Sequence, residues 1–523
     1  MRRATVFSQA RFENCPKINR FISPKTHFIG SRATAQSYNR RMPNFALRSC
    51  IALALSCAAA SLTAQAPSIA PLSAADRAEA IAIFKQLIEI NTTDTPLGNV
   101  TDATVAMQKR FLDAGFSPDE VHLLGPTARK QNLVVRIKGS GGTTKPVLFL
   151  CHVDVVEALP KDWHTDPFKF IEQDGYYYGR GTQDMKDSDA AMVATFLWLH
   201  REGYKPQRDL ILALTADEEG GNYNGANWLL QNHRELVDAA FVINLDAGGI
   251  DLDHGKALEA DVEATEKVYS DYRVLAVNRG GHSSLPRPDN AIYELTTALN
   301  KLAAYRFPFE LNDVTRAYTA EMAKIEIGAK AADLRAILTT PPDTAAIDRL
   351  SADPGWNSIL HTTCVATRLA AGHANNALPQ AAEANINCRI LPSHTPEETR
   401  QQLAALFADP ALKIETVKTG VVSSDNKSDH PMAPPPPLDE VFVPMRKLVD
   451  QLWPGTPVVP EMETGASDSV FFAAAGIPCY GFSAVALEHD DVRAHGQDER
   501  IPIESYDKSV QFFYAYSKAL GNE

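Results

Sequence analysis

The chain has 523 residues, of which 45% are apolar and 22% charged, with a formal net charge of −13. The length exceeds that of a single ordinary domain, and the apolar content excludes disorder for most of the chain. An acidic surface repels phosphate backbones and anionic membranes, so nucleic acid is a poor partner for this protein.

The first 64 residues differ from the rest in charge. They hold ten of the 51 basic residues but one of the 64 acidic residues, so the rest of the chain carries a net charge of −22. An uncharged run at 49–64 follows the basic flank and is shorter than the about 20 residues that span a bilayer. This pattern predicts a secretory signal peptide that is cleaved near Ala64. The alternative is a buried helix. Met42 is a second possible start of translation, because it begins a signal peptide of ordinary length. We therefore expect a secreted or periplasmic protein without a membrane span after processing.

The next part of the chain alternates between helical and strand patterns. A helix is predicted at 78–90, strands at 133–137 and 147–150, a helix at 187–200, and strands at 210–214 and 241–245. The strands are short continuous apolar runs, which is typical of strands buried on both faces. The alternation predicts an α/β fold with a mostly parallel sheet covered by helices.

The middle of the chain has a different pattern. A strand is predicted at 272–277, helices at 291–304 and 317–338, and strands at 362–369 and 382–391. Strands that flank helices in this way predict a small α+β domain inserted into the larger one. We place the insert at 266–392, between a first part of the larger domain at 65–265 and a second part at 393–523, with the upstream segment and signal peptide at 1–64.

Side chains of the kinds that bind metals follow three of the predicted strands. They are His152 after the strand at 147–150, Glu218 and Glu219 after the strand at 210–214, and Asp246 after the strand at 241–245. Taken singly, an aspartate before a helix is usually a cap, and a pair of glutamates is usually solvated surface. Because ligands bind beyond the carboxyl ends of strands in open α/β sheets, we expect these side chains to converge on one crevice.

Six motifs together resemble a known family. In chain order they are His152-x-Asp154, Gly179-Arg-Gly-Thr-x-Asp184-x-Lys186, Glu218-Glu219, Asp246-x-Gly-Gly, Gly280-Gly-His282-Ser-Ser and His495-Gly-x-Asp-Glu-Arg. They look like the dinuclear zinc family of aminoacylase, glutamate carboxypeptidase, carboxypeptidase S, acetylornithine deacetylase and succinyl-diaminopimelate desuccinylase. The resemblance covers nearly the whole chain after the signal segment. It implies a zinc-exopeptidase-like catalytic domain and an inserted lid and dimerisation domain.

The resemblance also implies a metal site. Two divalent ions would bind, with zinc expected and cobalt or manganese as alternatives. Asp184 would bridge the ions, Glu219 and His495 would complete one site, and His152 and Asp246 would complete the other. Glu218 would be the general base, and Asp154 would orient His152. Imidazole and carboxylate are ordinary zinc ligands, so the residue types agree with this assignment.

In the inserted domain the resemblance implies three further roles. His282 would reach the active site of a partner subunit and stabilise the oxyanion, Arg389 would hold the substrate carboxylate, and Asn376 would lie near the substrate. The first of these roles requires a homodimer. The structural alternatives are an exposed or structural imidazole, a salt bridge and a turn residue.

The predicted function is hydrolysis of an amide or peptide bond next to a free amino-acid carboxylate. A small peptide or an N-acyl amino acid would be the substrate of such a carboxypeptidase, dipeptidase or N-acyl-amino-acid amidohydrolase. The alternative is a catalytically inactive binding protein on the same fold. An ATP-dependent ligase is not supported, because the glycine-rich run at 139–142 is not followed by the Lys-Ser/Thr of a phosphate-binding loop.

Four cysteines follow the signal segment, and their spacing fits no zinc finger. They are Cys151, Cys364, Cys388 and Cys479. The strands at 362–369 and 382–391 are expected to pair antiparallel, which would place Cys364 opposite Cys388. In an oxidising compartment this arrangement predicts a disulfide bond.

Overall fold

The computed structural model describes residues 69–142, 144–417, 432 and 434–522. The predicted signal peptide and its cleavage site lie outside the described residues. The helices are α1 (Ala74–Ile88), α2 (Val100–Asp113), α3 (Lys186–Arg201), α4 (Gly225–Asn232), α5 (Arg234–Val237), α6 (Ala291–Ala303), α7 (Asp313–Ile325), α8 (Gly328–Ile337), α9 (Thr344–Leu350), α10 (Pro354–Leu360), α11 (Pro396–Phe407), α12 (Asp439–Leu452), α13 (Ser469–Ala474) and α14 (Ile503–Asn522).

The strands form four sheets among the described residues. They are β1 (Val121–Thr127), β2 (Lys130–Ile137), β3 (Val147–His152), β4 (Ile171–Gln173), β5 (Tyr176–Tyr178), β6 (Leu210–Thr215), β7 (Phe241–Asn244), β8 (Gly249–Asp253), β9 (Lys256–Glu266), β10 (Val268–Val277), β11 (Gly281–His282), β12 (Thr363–Ala371), β13 (Ala377–Leu378), β14 (Ala381–Ile390), β15 (Lys413–Thr416), β16 (Val458–Glu463), β17 (Cys479–Gly481), β18 (Ala486–Glu488) and β19 (Arg500–Pro502).

The large sheet has the strand order β1-β2-β6-β3-β7-β17-β9-β8-β18, and β16 pairs with β9. The central strands β6, β3, β7 and β17 run parallel, while β1, β2 and the β8–β9 hairpin add antiparallel pairs. This confirms the predicted α/β fold with a mostly parallel sheet. Parallel neighbours end at the same edge, which is the property that assembles the site described below.

Helices cover both faces of the large sheet, and the sequence of β3 shows how. Val147 and Phe149 pack into one apolar cluster with α1, α3 and α14, whereas Leu148 and Leu150 pack into another with α4 and α13. All six residues of β3 are buried. Successive side chains of a strand point to opposite faces, so a strand covered on both faces must be apolar at every position. The continuous apolar runs in the sequence have this cause.

The second sheet has four antiparallel strands in the order β12-β14-β10-β15. Cys364 lies directly opposite Cys388 across β12 and β14, and the two form the predicted disulfide, with Cα atoms 4.1 Å apart. The strand β15 also belongs to this sheet, and α11 packs with α6 over it. The chain therefore stays with the second sheet as far as Thr416, beyond the predicted return at 392.

The helices α7 to α10 occupy the long connection between α6 and β12. One helix was expected at 317–338, but the structure has α7 and α8 there, because Gly328 has a positive φ of 66° and the two residues before it are caps with extended backbone. Glycine adopts this conformation without the steric strain that a side chain would cause. Helix α7 packs on β9 and β16 of the large sheet, with Val314 beside Ala264 and Met462. Among the described residues no helix is both long and apolar enough to cross a membrane.

Candidate dinuclear metal site

The predicted ligands meet at the carboxyl edge of the parallel strands. His152 is the last residue of β3, and Asp246 lies two residues beyond β7. Glu218 and Glu219 lie in the turn that follows β6, on the other side of β3. Since β6, β3 and β7 are parallel neighbours, these separate pieces of sequence come within contact of one another. The predicted crevice is therefore present.

Asp184 stands between the two histidines. Its Oδ1 lies 3.1 Å from His152 Nε2, and its Oδ2 lies 3.0 Å from His495 Nε2. His152 Nε2 also lies 3.2 Å from Asp246 Oδ1, and His495 Nε2 lies 2.9 Å from Glu219 Oε2. Each histidine Nε2 thus lies close to one oxygen of Asp184 and to one oxygen of a second carboxylate. The family resemblance assigned the same residues to two sites that share Asp184.

These separations fit two metal ions. Ligand atoms at the usual zinc distances of about 2.0–2.2 Å, in tetrahedral arrangement, lie about 3.3 Å apart, close to the spacings seen here. His152 presents Nε2 to the site because its Nδ1–H donates to the backbone carbonyl of Asp154 at 3.0 Å, which fixes the tautomer. The ligand atoms of His152, Asp184 and Glu219 lie within 4.8 Å of one another, as do those of His152, Glu218 and Asp246.

Asp154 organises the turn that carries the two glutamates. Its carboxylate accepts hydrogen bonds from the backbone N–H of Glu218 at 3.1 Å and of Glu219 at 2.9 Å. The carboxylate lies 3.8 Å from His152 Nδ1, so the imidazole is oriented by donating to the Asp154 carbonyl rather than to its side chain. Asp154 is 1% exposed, and its hydrogen bonds connect the end of β3 to the turn that carries Glu218 and Glu219.

Burial and neighbouring carboxylates raise the pKa values of several side chains at the site. Burial raises the pKa of Asp154 and of Asp246 to about 7 each. Burial lowers the pKa of His152, but the nearby Asp246 and Asp184 carboxylates outweigh it and raise that pKa well above its usual value. Hydrogen bonds to Asp184 and Glu219 raise the pKa of His495 to about 10. Without metal the site therefore retains protons on these side chains. Bound divalent cations would supply the positive charge in place of the protons.

Glu499 is a residue whose importance the sequence did not reveal. It is fully buried, forms an ion pair with Arg180, and accepts hydrogen bonds from the backbone N–H groups of Gly181, Gln183 and Asp184 at 3.1, 2.7 and 3.2 Å. Glu499 thus holds the loop that carries Asp184, the predicted bridging ligand. The sequence did contain a signal for Glu499, since this residue belongs to the motif that begins at His495. Only the fold shows which loop Glu499 supports.

His282 and Asn376 lie together at a small two-stranded sheet of the inserted region. Strand β11 pairs with β13, and the Ser283 N–H donates to the carbonyl of Asn376 at 3.1 Å. The His282 side chain is exposed, and its Nδ1 lies 2.7 Å from the hydroxyl of Ser284. The structure therefore brings these two predicted residues to each other, and it places both on the region that carries the second sheet.

Arg389 lies on β14 of the second sheet, opposite Tyr269 of β10. Its guanidinium stands over the Tyr269 ring, 4.7 Å from the ring centre, and the side chain is half-buried. Tyr269 in turn donates to the carboxylate of Asp271 at 2.6 Å. The cation therefore rests on an aromatic face, which orients a planar guanidinium without neutralising it.

A cavity of about 300 Å³ opens beside the predicted metal ligands. Asp184 and Asp246 line one end of it, together with the glycine turn at 248–249. Tyr318 of α7 and Glu463 of β16 line it further away. The long connection between α6 and β12 thus contributes a wall to the space next to the candidate metal site.

Comparison with known proteins agrees with this geometry. Residues 148–519 match the model of Peptidase family M20/M25/M40. The chain belongs to this family. It is a metal-dependent hydrolase of the peptidase and amidohydrolase type, and the inactive alternative is not favoured.

Individual relatives and structures are similar over most of the chain. The N-fatty-acyl-amino acid synthase/hydrolase PM20D1 of Xenopus tropicalis is 30% identical over 72% of this chain and 73% of its own length. The M20 metallo-carboxypeptidase of Sulfolobus solfataricus has the same fold, with a TM-score of 0.62 and 17% identity over 85% of this chain and 99% of its own. A dinuclear metal binding M20 peptidase of Bacillus subtilis gives a TM-score of 0.52 and 13% identity over 86% and 98%.

Proposed function

We propose that this protein removes a C-terminal amino acid from N-acyl amino acids or short peptides, using two zinc ions. The observation that carries the proposal is the position of Asp184 between His152 Nε2 and His495 Nε2, at 3.1 and 3.0 Å. One carboxylate that faces two imidazoles in this way suits a bridging ligand. The name of the Xenopus tropicalis relative, an N-fatty-acyl-amino acid synthase/hydrolase, supports N-acyl amino acids as one substrate class.

When bound, the two ions would polarise the scissile carbonyl and acidify a water molecule. Glu218 takes the proton of the attacking water and passes it to the leaving nitrogen, so one carboxylate serves as base and then as acid. Glu218 is 8% exposed, and a carboxylate oxygen of it lies within 4.8 Å of ligand atoms of His152 and Asp246. Asp154 fixes the backbone of Glu218 and so limits where the base can stand.

Arg389 binds the free carboxylate of the substrate, and Asn376 contacts the substrate from the loop that precedes β13. A guanidinium binds a carboxylate through two parallel hydrogen bonds, which positions the scissile amide as well as holding it. The stacking of Arg389 on Tyr269 supports this role, because the ring orients the guanidinium plane. Closure of the second sheet over the metal crevice then excludes water.

We further propose a homodimer in which His282 acts in the partner's site. His282 lies on the inserted region and is exposed, as a residue that stabilises an oxyanion in another subunit would be in an isolated chain. Strand β12 is the edge of the second sheet, and from Val365 onward all its residues are exposed, including Val365 at 60% and Leu369 at 62%. A long exposed edge strand with apolar side chains favours pairing with a second copy.

A secreted or periplasmic location completes the proposal. The basic segment and the uncharged run at 49–64 support export. The disulfide between Cys364 and Cys388 gives independent support, since disulfides persist in oxidising compartments. Cell fractionation with N-terminal sequencing of the mature protein tests this, and a mature protein that retains its signal segment in the cytosol would contradict it.

The enzymatic proposal is tested on a substrate panel. N-acyl amino acids of varied chain length and dipeptides are incubated with metal-free protein and with protein loaded with zinc, cobalt or manganese, and the released amino acid is measured. We expect release to require metal and to be fastest with zinc. Absence of metal-dependent release from the whole panel would contradict the assignment.

The same panel contains a matched control for carboxylate recognition. Each substrate is also offered with its C-terminal carboxylate amidated, which removes the charge but leaves the scissile bond intact. We expect wild-type protein to cleave the free acid much faster, and Arg389→Gln to raise KM for the free acid while leaving the amidated substrate unchanged. Equal cleavage of both forms by the wild type would remove Arg389 from this role.

A further inference from the structure

A second group of carboxylates converges on the large sheet, at the cavity that Asp184 and Asp246 also line. Asp251 of β8 lies opposite Glu259 of β9, and Asp261 follows two residues along the same strand. Alternate residues of a strand share a face, so the three side chains point to one side of the hairpin. One carboxylate oxygen from each lies within 4.8 Å of the others. Glu461 and Glu463 of the neighbouring strand β16 line the same cavity as Asp251 and Asp261.

Two of these carboxylates are deeply buried and have an unsatisfied oxygen. Glu259 is 2% exposed and Asp261 is 7% exposed. Glu259 Oε2 and Asp261 Oδ1 have no hydrogen-bond partner among the described residues, and Asp261 lines the cavity. The other oxygen of Glu259 accepts from the hydroxyl of Tyr318 at 3.3 Å. Buried carboxylate oxygens without a partner are rare in folded proteins, because each one loses its hydration and gains nothing in exchange.

No cationic side chain neutralises the group within the part of the chain that the structure describes. None of the ion pairs there includes Asp251, Glu259 or Asp261. His489 acts on Asp251 and Lys330 acts on Glu259 only through space, and Lys330 forms its own ion pair with Glu326. Burial and the neighbouring carboxylates raise the pKa of Glu259 to about 7 and that of Asp261 well above its usual value.

Two arrangements could relieve this crowding: shared protons or a bound cation. The donor set is oxygen only, which hard cations such as Ca²⁺ prefer, whereas zinc prefers nitrogen and sulfur as well. Calcium–oxygen bonds of about 2.3–2.6 Å place two ligand atoms no more than about 5 Å apart, which matches the 4.8 Å limit here. The adjoining cavity gives an ion access and leaves room for the water ligands that Ca²⁺ usually keeps.

We propose that Asp251, Glu259 and Asp261 bind a third divalent cation, of the hard Ca²⁺ class, at a site distinct from the dinuclear centre. The ion joins β8 to β9, and through the Tyr318 hydroxyl it also stabilises the contact between α7 and the sheet. Its main effect is to stabilise the β8–β9 hairpin and the part of α7 that lines the cavity beside Asp246, because the ion binds only the folded state.

The test uses zinc-loaded protein dialysed into calcium-free buffer that contains zinc. Ca²⁺ is titrated in, and bound calcium, bound zinc and the thermal unfolding midpoint are measured together. We expect about one Ca²⁺ per chain in addition to two zinc ions, and a saturable rise of several degrees in the midpoint. A protein that binds no calcium and whose midpoint does not respond would overturn the proposal, and so would calcium that displaces zinc.

Variants locate the ion. Asp261→Asn and Glu259→Gln should each weaken Ca²⁺ binding at least about tenfold, since each removes one charged ligand. Asp253→Asn is the matched control, because Asp253 lies on the same strand as Asp251 but is exposed, and this variant should bind Ca²⁺ as the wild type does. Unchanged binding by Asp261→Asn would place the ion elsewhere.

A second readout avoids dependence on the variants. Tb³⁺ replaces Ca²⁺ in oxygen sites and emits when a nearby aromatic ring is excited, and Tyr318 contacts the proposed ligand Glu259. We expect saturable Tb³⁺ emission from zinc-loaded wild-type protein that excess Ca²⁺ abolishes and excess zinc does not. Absence of this emission, or emission that zinc alone removes, would show that the carboxylates share protons instead.

Discussion

The carboxylate of Glu499 accepts a hydrogen bond from the backbone N–H of Asp184 at 3.2 Å. The two residues are 315 positions apart in sequence, yet one fixes the loop on which the other presents its oxygens to both histidines. Glu499 contacts the predicted ligand Asp184 through its backbone rather than its side chain, and it acts through the loop N–H groups of Gly181, Gln183 and Asp184. Its effect on the metals is therefore positional, and it can be separated experimentally from that of the ligands.

We predict that Glu499→Gln weakens metal binding about 10–100-fold, the usual effect of losing a residue that orients a ligand. Activity at saturating zinc should recover most of the loss, because the ligands themselves are intact. Metal affinity is measured by chelator competition. Asp498→Asn is the control, since Asp498 is adjacent in sequence but contacts His164. A variant that binds zinc as the wild type does would exclude this role for Glu499.

Glu218→Gln should keep both metals and lose turnover by about 10²–10⁴-fold, the range that general acid–base catalysis contributes. The neutral side chain has nearly the same shape but cannot accept the proton of the water. Metal content and kcat are measured on the same preparation. Activity close to that of the wild type with unchanged metal content would mean that another group is the base.

Asp184→Ala should lose metal and activity together, because one carboxylate is assigned to both ions. Elemental analysis after gel filtration gives the number of ions per chain, and His495→Ala provides the comparison in which one site alone is damaged. If two ions remain bound to Asp184→Ala, then Asp184 is not the bridge.

The metal-free protein should become less stable as pH rises from about 5 to 9. Asp154 and Asp246 have pKa values of about 7 in the folded state, above the about 4 of an unfolded aspartate, so folding takes up protons in this range. His495, with a pKa of about 10 against an unfolded value of about 6.5, shifts stability in the same direction. Zinc-loaded protein should show a flatter profile, since metal ions replace the protons.

Thermal unfolding midpoints of the two forms across this pH range test the prediction. Asp246→Asn should flatten the profile of the metal-free protein, because the substitution removes one of the groups that bind a proton on folding. A midpoint of the metal-free protein that rises between pH 5 and 8 would show that groups outside the site dominate.

A mixture of Glu218→Gln and His282→Ala proteins should regain activity when subunits exchange. A mixed dimer has one site with both lesions and one with neither, so random exchange of equal amounts should restore about a quarter of the wild-type activity. Subunit exchange is monitored in parallel with differently labelled chains. Demonstrated exchange without recovery, or a fully active wild-type monomer, would show that His282 does not act in the partner's site.

The sequence by itself determined the central architecture and the residue types of the site. Strand β3 is apolar at every position before His152 because both faces are covered, so its pattern is visible without a structure. The candidate ligands that follow strands of this kind were predictable because parallel strands end at one edge. Asp184 and His495 came from the motifs of the family resemblance. The pairing of Cys364 with Cys388 followed from the same reasoning about neighbouring strands, and the structure confirms it.

Only the tertiary structure decided which distant residues support those ligands and what surrounds them. The break at Gly328, the packing of α7 on β16 and the support that Glu499 gives to Asp184 all depend on contacts between residues far apart in sequence. The carboxylates of β8 and β9 look like ordinary solvated residues in the sequence, and they become a buried group because α7 covers them. The local sequence pattern shows which face of a helix or strand is apolar, but it does not show which other element packs against that face.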